Sequence, residues 1–221
     1  MQLMNRVNRV LRVTAVVSCA FFMASCAATQ ALHGALTGQQ NTLPPNDPIH
    51  GPGMTLYSPD ETGWYRAPRR QNEFSLVKPG RVQGETYAFM VDALDLGPGE
   101  TRADLVAKYR NAISDDTSTR YTNIKVTVDE YPKGPGGNCL VRHWSAEDHA
   151  PAGLEGKGPM TLESVDFVCI NPNDRTTAAF LSYSQRYFPG GRDPRLMEKA
   201  SACIQKLTFN NDVPGGNSSK Q

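Results

Sequence analysis

Five stretches of this chain alternate apolar and polar residues with a period of two: 86–96, 124–128, 139–146, 162–170 and 177–187. Successive residues of a strand face opposite sides of a sheet, so such runs fit strands and cannot lay one clean stripe along a helix. The breaks at 132–138, 148–160 and 171–175 are rich in Gly, Pro and Asn, which make tight turns. Together they predict an antiparallel meander, with a short piece at 73–77 adding an edge strand.

The meander has a register that can be tested by arithmetic. Setting Cys139 opposite Cys169 brings Val141 to Phe167 and His143 to Val165 on one face. The other face then sets Arg142 against Asp166, a favourable cross-strand pair. Two segments read as helices. Thr101 and Asp104 have capping-box spacing, and Leu105, Val106, Tyr109 and Ile113 follow at helical intervals. Asp193-Pro194 opens a second, with Leu196, Ala200, Cys203, Ile204 and Leu207 on one stripe. Both stripes need a surface to cover, which gives an expected α+β fold, an antiparallel sheet packed by two helices as an α/β/α sandwich. The order of early strands, a helix over 101–113, a long meander and a closing helix ending in Ile204-Gln205-Lys206-Leu207-Thr208-Phe209 resembles the PsbP/Mog1-like fold. The resemblance covers 58–210 and includes no diagnostic motif. It implies a binding or assembly role and carries over no catalytic residue.

The first 26 residues divide into three zones. Residues 1–12 carry Arg6, Arg9 and Arg12 and no acid, as a segment retained on the cytoplasmic side does. Residues 13–23 (VTAVVSCAFFM) form an apolar run of signal-peptide length, short of the roughly 20 residues a spanning helix needs. Met23-Ala24-Ser25-Cys26 follows, with small residues ahead of a nucleophilic thiol. It resembles the bacterial lipobox, with Met23 where that family usually has Leu. The resemblance implies a signal peptide over 1–25 and a palmitate-bearing lipid anchor on Cys26. Each buried CH₂ contributes about 0.8 kcal/mol, so two or three acyl chains hold a protein on a membrane. Ala27, not Asp, follows the cysteine, which in the enterobacterial pattern implies the outer membrane, facing the periplasm. Residues 26–57, rich in Gly, Pro, Gln, Asn and Thr, read as a tether of roughly 30 Å typical span. Residues 58–210 are the expected folded unit, and 211–221 (NDVPGGNSSKQ) a polar tail.

Cys19 leaves with the signal, and Cys139, Cys169 and Cys203 remain beside Cys26. An oxidising compartment favours a disulfide, and the register pairs Cys139 with Cys169. Cys203, on the stripe of the last helix, is an alternative partner for either. No Cys-x-x-Cys or zinc-ligand spacing occurs.

The 23 basic and 22 acidic residues leave no basic surplus, which argues against a nucleic-acid partner. The densest ionisable group is His143, Glu147, Asp148 and His149 (HWSAEDH), whose imidazoles and carboxylates suit a divalent metal or a general base. Against that reading, His143 falls on a strand face and His149 in a turn. Ser182 and Ser184 lack a nucleophile elbow, and 134–137 (GPGG) lacks the lysine and helix of a phosphate loop. Trp64, Tyr65, Arg66, Arg69 and Arg70 combine aromatic and basic groups, a candidate surface for an envelope protein, glycan or anionic lipid. The alternative is that Trp64 and Tyr65 cover one end of the core. The expected function is therefore a lipid-anchored envelope protein whose domain binds a partner or small ligand without catalysis or cofactor. The alternatives are a periplasmic hydrolase or metal-dependent enzyme using 143–149, and a carrier for a small apolar ligand.

Overall fold

The computed structural model describes residues 42–51, 53–67, 74–97, 99, 101–111, 120–149 and 158–210. In chain order the strands are β1 (Thr42–Leu43), β2 (Pro48–Gly51), β3 (Met54–Tyr57), β4 (Trp64–Arg66), β5 (Phe74–Pro79) and β6 (Thr86–Asp95). Helix α1 (Arg102–Asn111) leads to β7 (Tyr121–Tyr131), β8 (Cys139–Asp148), β9 (Met160–Ile170) and β10 (Thr177–Tyr187). Helix α2 (Leu196–Ile204) and β11 (Thr208–Phe209) close the described chain.

Eight strands form one antiparallel sheet in the order β1-β4-β5-β6-β10-β9-β8-β7, and β11-β3-β2 form a second. The register deduced from the alternation is the one found, with Cys139 opposite Cys169, Val141 opposite Phe167, His143 opposite Val165 and Arg142 opposite Asp166. One face of the large sheet carries Trp64, Leu76, Phe89, Leu181, Tyr183, Val165 and Phe167, and α2 and the small sheet pack against it through Leu196, Ala200, Ile204, Ile49, Met54 and Leu56. On the other face, Leu105 and Tyr109 of α1 meet Met90, Phe180, Val168 and Leu140. The start of α1 is the expected capping box with Asp in the reciprocal place. Thr101 N–H donates to Asp104 Oδ2 at 2.8 Å, and Asp104 N–H donates to Thr101 Oγ1 at 3.2 Å.

The α/β/α sandwich expected from the helical stripes and the PsbP/Mog1-like resemblance is not the architecture. The protein is predominantly antiparallel β, an eight-stranded sheet with a three-stranded sheet beside it. The helices are too short to set the layers: α1 buries only Leu105 and Tyr109, and α2 buries Leu196, Ala200, Cys203 and Ile204. Much of the remaining cover comes from residues whose composition read as tether. Strands β1, β2 and β3 lie within 26–57, and Leu43, Ile49, Met54 and Leu56 are buried in the main core. Their apolar side chains are spaced between Pro, Asn and Gly turns, so window composition hides them, although Met54 and Leu56 alternate as a strand requires. The signal zone, residues 26–41 and the 211–221 tail lie outside the described residues. Among those described, no helix is long and apolar enough to cross a membrane.

Candidate functional site

Strand geometry divides the 143–149 group instead of gathering it. His143 shares a face with Val141, and its Nε2 lies 2.9 Å from Glu163 Oε1 on β9. Asp148, five residues on, points to the opposite face and is fully buried. There it accepts hydrogen bonds from Arg120 Nε at 2.8 Å and Nη2 at 2.9 Å, and Arg186 stands beside it as an ion pair, Nε 2.9 Å from Oδ2. His149 lies past the strand end, its Nε2 2.7 Å from Thr122 Oγ1 and 3.5 Å from Glu147 Oε1. No constellation of the kind expected for a base or metal forms from these four. Among the described residues, no group of three or more His, Cys, Asp or Glu is placed to hold a metal ion.

The structure does gather polar groups elsewhere, at one end of the main core. Neighbouring strands bring Ser145, Glu163, Gln185, Tyr87 and Lys78 into one row across the sheet. The segment before α2 and the helix itself close over that row. Arg192 donates to Glu163 from Nε (2.9 Å) and Nη2 (2.8 Å), and Tyr187 OH donates to the same carboxylate at 3.2 Å. Gln185 Nε2 donates to Tyr87 OH at 3.2 Å and to the Gly191 carbonyl at 2.8 Å, while its Oε1 accepts from Asp193 N–H at 2.8 Å. Lys199 of α2 sits 2.6 Å from Asp193 Oδ2 and 2.7 Å from Glu61 Oε1, and Lys78 also bonds Glu61. The ammonium of Lys78 rests over the rings of Trp64 (5.4 Å) and Tyr87 (5.0 Å).

This belt pairs acids with bases so that each stays charged. Burial works to raise the Glu163 pKa, but hydrogen bonds from Arg192 and His143 outweigh it and hold the carboxyl down at about 2. Glu61 is lowered in the same way: burial opposes and Lys199 and Lys78 prevail. Such carboxylates are poor bases and no acids at neutral pH. The arrangement therefore suits closing and orienting the end of the core rather than proton transfer. It also sets a pH response. A depressed folded-state pKa contributes stability above the unfolded value near 4.5 and loses it as pH falls towards about 2. Glu163→Gln is expected to lower the melting temperature at pH 7 and to flatten its acid dependence between those limits. Thermal melts of both proteins over that range check this, and an unchanged acid slope would refute it.

Compared with known proteins, the chain matches no family model, and no curated protein matches it as a relative. Its site must be read from its own residues.

Trp64 stands in the core and not on the candidate aromatic and basic surface. Trp64 is fully buried, edge-on to Phe89 (6.4 Å between centroids) and Tyr183 (5.6 Å). Tyr65 is half-buried, and Arg66 is exposed with its guanidinium over the Phe74 ring. Arg69 and Arg70 lie outside the described residues. Among the described residues, the exposed large apolar side chains are Val82, in the turn after β5, and Met197 of α2.

Cys139 and Cys169 form the disulfide that the register pairs. Cys203 is a buried free thiol, so the alternative pairing is not used. Burial pushes that thiol up to about 12, leaving little thiolate for exchange or nucleophilic chemistry. Sequence reasoning missed Glu163, Gln185, Tyr87, Lys78, Glu61 and Lys199. A signal for the first four existed: each stands two places from an inward apolar residue of its own strand, at Val165, Tyr183, Phe89 and Leu76. Glu61 and Lys199 are brought in by loop and helix placement, which alternation does not encode.

Proposed function

We propose that the chain is an envelope lipoprotein, exported by residues 1–25, acylated on Cys26 and held at the outer membrane facing the periplasm. Its folded β domain serves as a non-catalytic module that binds an envelope protein or small ligand. The observation that carries the reading is the order of basic zone, apolar run and Met23-Ala24-Ser25-Cys26. The disulfide adds support, because such bonds persist in oxidising compartments such as the periplasm. The polar belt offers no general base for catalysis, since its carboxylates are paired with Arg192, His143, Lys78 and Lys199 and held below their ordinary pKa.

Mass spectrometry of the protein isolated from its native envelope tests the anchor. Wild type is expected to begin at Cys26 with added acyl mass and to partition into detergent. Cys26→Ala is expected to lose that mass and to appear in the soluble fraction. A wild type that carries no acyl mass, differing from Cys26→Ala by no more than the substitution itself, would end this reading.

A further inference from the structure

Strand β7 forms one margin of the eight-stranded sheet, with β8 as its neighbour on the inner side. The phase of its backbone groups follows from the ladder. Ile170 N–H donates to the Asn138 carbonyl at 3.2 Å, which makes 138 and 170 a hydrogen-bonded pair. By alternation, the odd residues of β8 turn their backbone groups towards β7, where Ser145, His143 and Val141 stand opposite Lys125, Thr127 and Asp129. The N–H and C=O groups of Val126 and Val128 therefore point out of the sheet, the groups an added strand would pair with. The side chains of Lys125, Thr127 and Asp129 are exposed on one face, and those of Val126 and Val128 are half-buried on the other.

We propose that two copies of this chain pair β7 edge to edge, antiparallel, about a two-fold axis at Thr127. In that register Lys125 of each copy stands opposite Asp129 of the other, and the two threonines face each other. Val126 of each lies beside Val128 of the other, and their outward amides and carbonyls satisfy one another. Sliding by two residues in either direction removes both Lys–Asp pairs, and parallel alignment sets lysine against lysine, so the charges select one register. Asn123, in the left-handed region at φ 53°, and the register shift between Thr122 and Lys125 end the regular run. An edge this short belongs to the small interfaces below about 1,200 Å², which associate reversibly.

Sedimentation velocity of the full-length chain in detergent, over a wide concentration range, tests the pairing. A reversible monomer–dimer equilibrium is expected. Lys125→Asp or Asp129→Lys alone should weaken it about tenfold or more, because each change makes two like-charge pairs. The double swap should restore the wild-type constant to within about threefold. Oxidation adds a positional readout. Thr127→Cys should give a disulfide-linked dimer, since facing residues of a non-hydrogen-bonded pair lie about 4.5 Å apart, whereas Glu130→Cys should not. The Cys26→Ala chain should dimerise with the same constant, so failure of the anchor leaves this test intact. A chain that stays monomeric throughout, single reversals without effect, or equal cross-linking at 127 and 130 would overturn self-pairing and leave this margin to a strand of another protein.

Discussion

Asp166→Ala is expected to cost about 4 kcal/mol, a large share of the roughly 5–15 kcal/mol that holds a domain folded. Asp166 and Arg142 face each other across β8 and β9, and both are almost fully buried. Arg142 donates to Asp166 Oδ2 from Nε (2.9 Å) and Nη2 (2.6 Å), and Trp144 Nε1 donates to the same oxygen at 2.9 Å. Ser164 Oγ donates to the other carboxylate oxygen at 2.6 Å. The guanidinium also donates to the Tyr109 carbonyl at 3.2 Å and lies 5.0 Å from the centre of that ring, so the network joins the sheet to α1. Removing the carboxylate takes the counter-charge from a buried cation and a hydrogen bond from an indole N–H and a hydroxyl together. Removing the cation with Arg142→Met leaves Asp166 two of its donors and should cost less, about 3 kcal/mol. Asp166→Leu with Arg142→Met removes both charges and should cost less than the sum of the single changes. Urea denaturation of the three variants and the wild type gives the coupling energy. Single variants within about 1 kcal/mol of wild type would show that the pair contributes little.

That pair was legible in the sequence as a pair and illegible as a buried one. Period-two alternation states which residues share a face, and one register satisfied both faces of the β8–β9 hairpin, so contacts followed without any knowledge of the fold. It does not state what covers each face. His143 and Asp148 lie close in sequence and look like one group, yet odd and even positions separate them across the sheet. Trp64 carried the opposite difficulty: beside three arginines it fits either a surface or a cover for the core, and only its placement next to Phe89 and Tyr183 decides for the core. The second sheet escapes the alternation because β2, β3 and β11 are at most four residues long, and the apolar side chains of β2 and β3 are diluted by turn residues. Short strands gain their stability from tertiary contacts, here with the main core, and such contacts leave little trace in local composition. The two helices were found, capping box included, but their apolar stripes could not reveal that a second sheet shares the work of covering the large one.

Replacing Cys139 and Cys169 together by alanine is expected to cost about 3.5 kcal/mol, the loop-closure value for a bridge between residues thirty apart in sequence. The bond joins directly opposite residues of β8 and β9, at a non-hydrogen-bonded position with the Cα atoms 4.1 Å apart. Opposite residues of a formed sheet need little rearrangement to be bridged, so the gain falls mainly on the unfolded chain. The turn ahead of β8 has been fitted around this bond. A Cβ added at Gly134 would lie 2.1 Å from Cys139 Sγ and 3.4 Å from Cys169 Sγ, although the backbone there is ordinary extended chain. Gly134→Ala should therefore destabilise the oxidised protein by about 1–3 kcal/mol through overpacking against sulfur. In the double-alanine background the same substitution should lose part of its effect, because both sulfurs are gone while the Cβ of residue 139, 2.9 Å from the added methyl, remains. The buried Cys203 thiol offers no substitute bridge, since the double replacement leaves it no thiol partner among the described residues. Denaturant titrations of wild type, the double-alanine variant, Gly134→Ala and their combination complete the cycle. An equal penalty for Gly134→Ala with and without the bridge would place the constraint in the turn itself rather than in the disulfide beneath it.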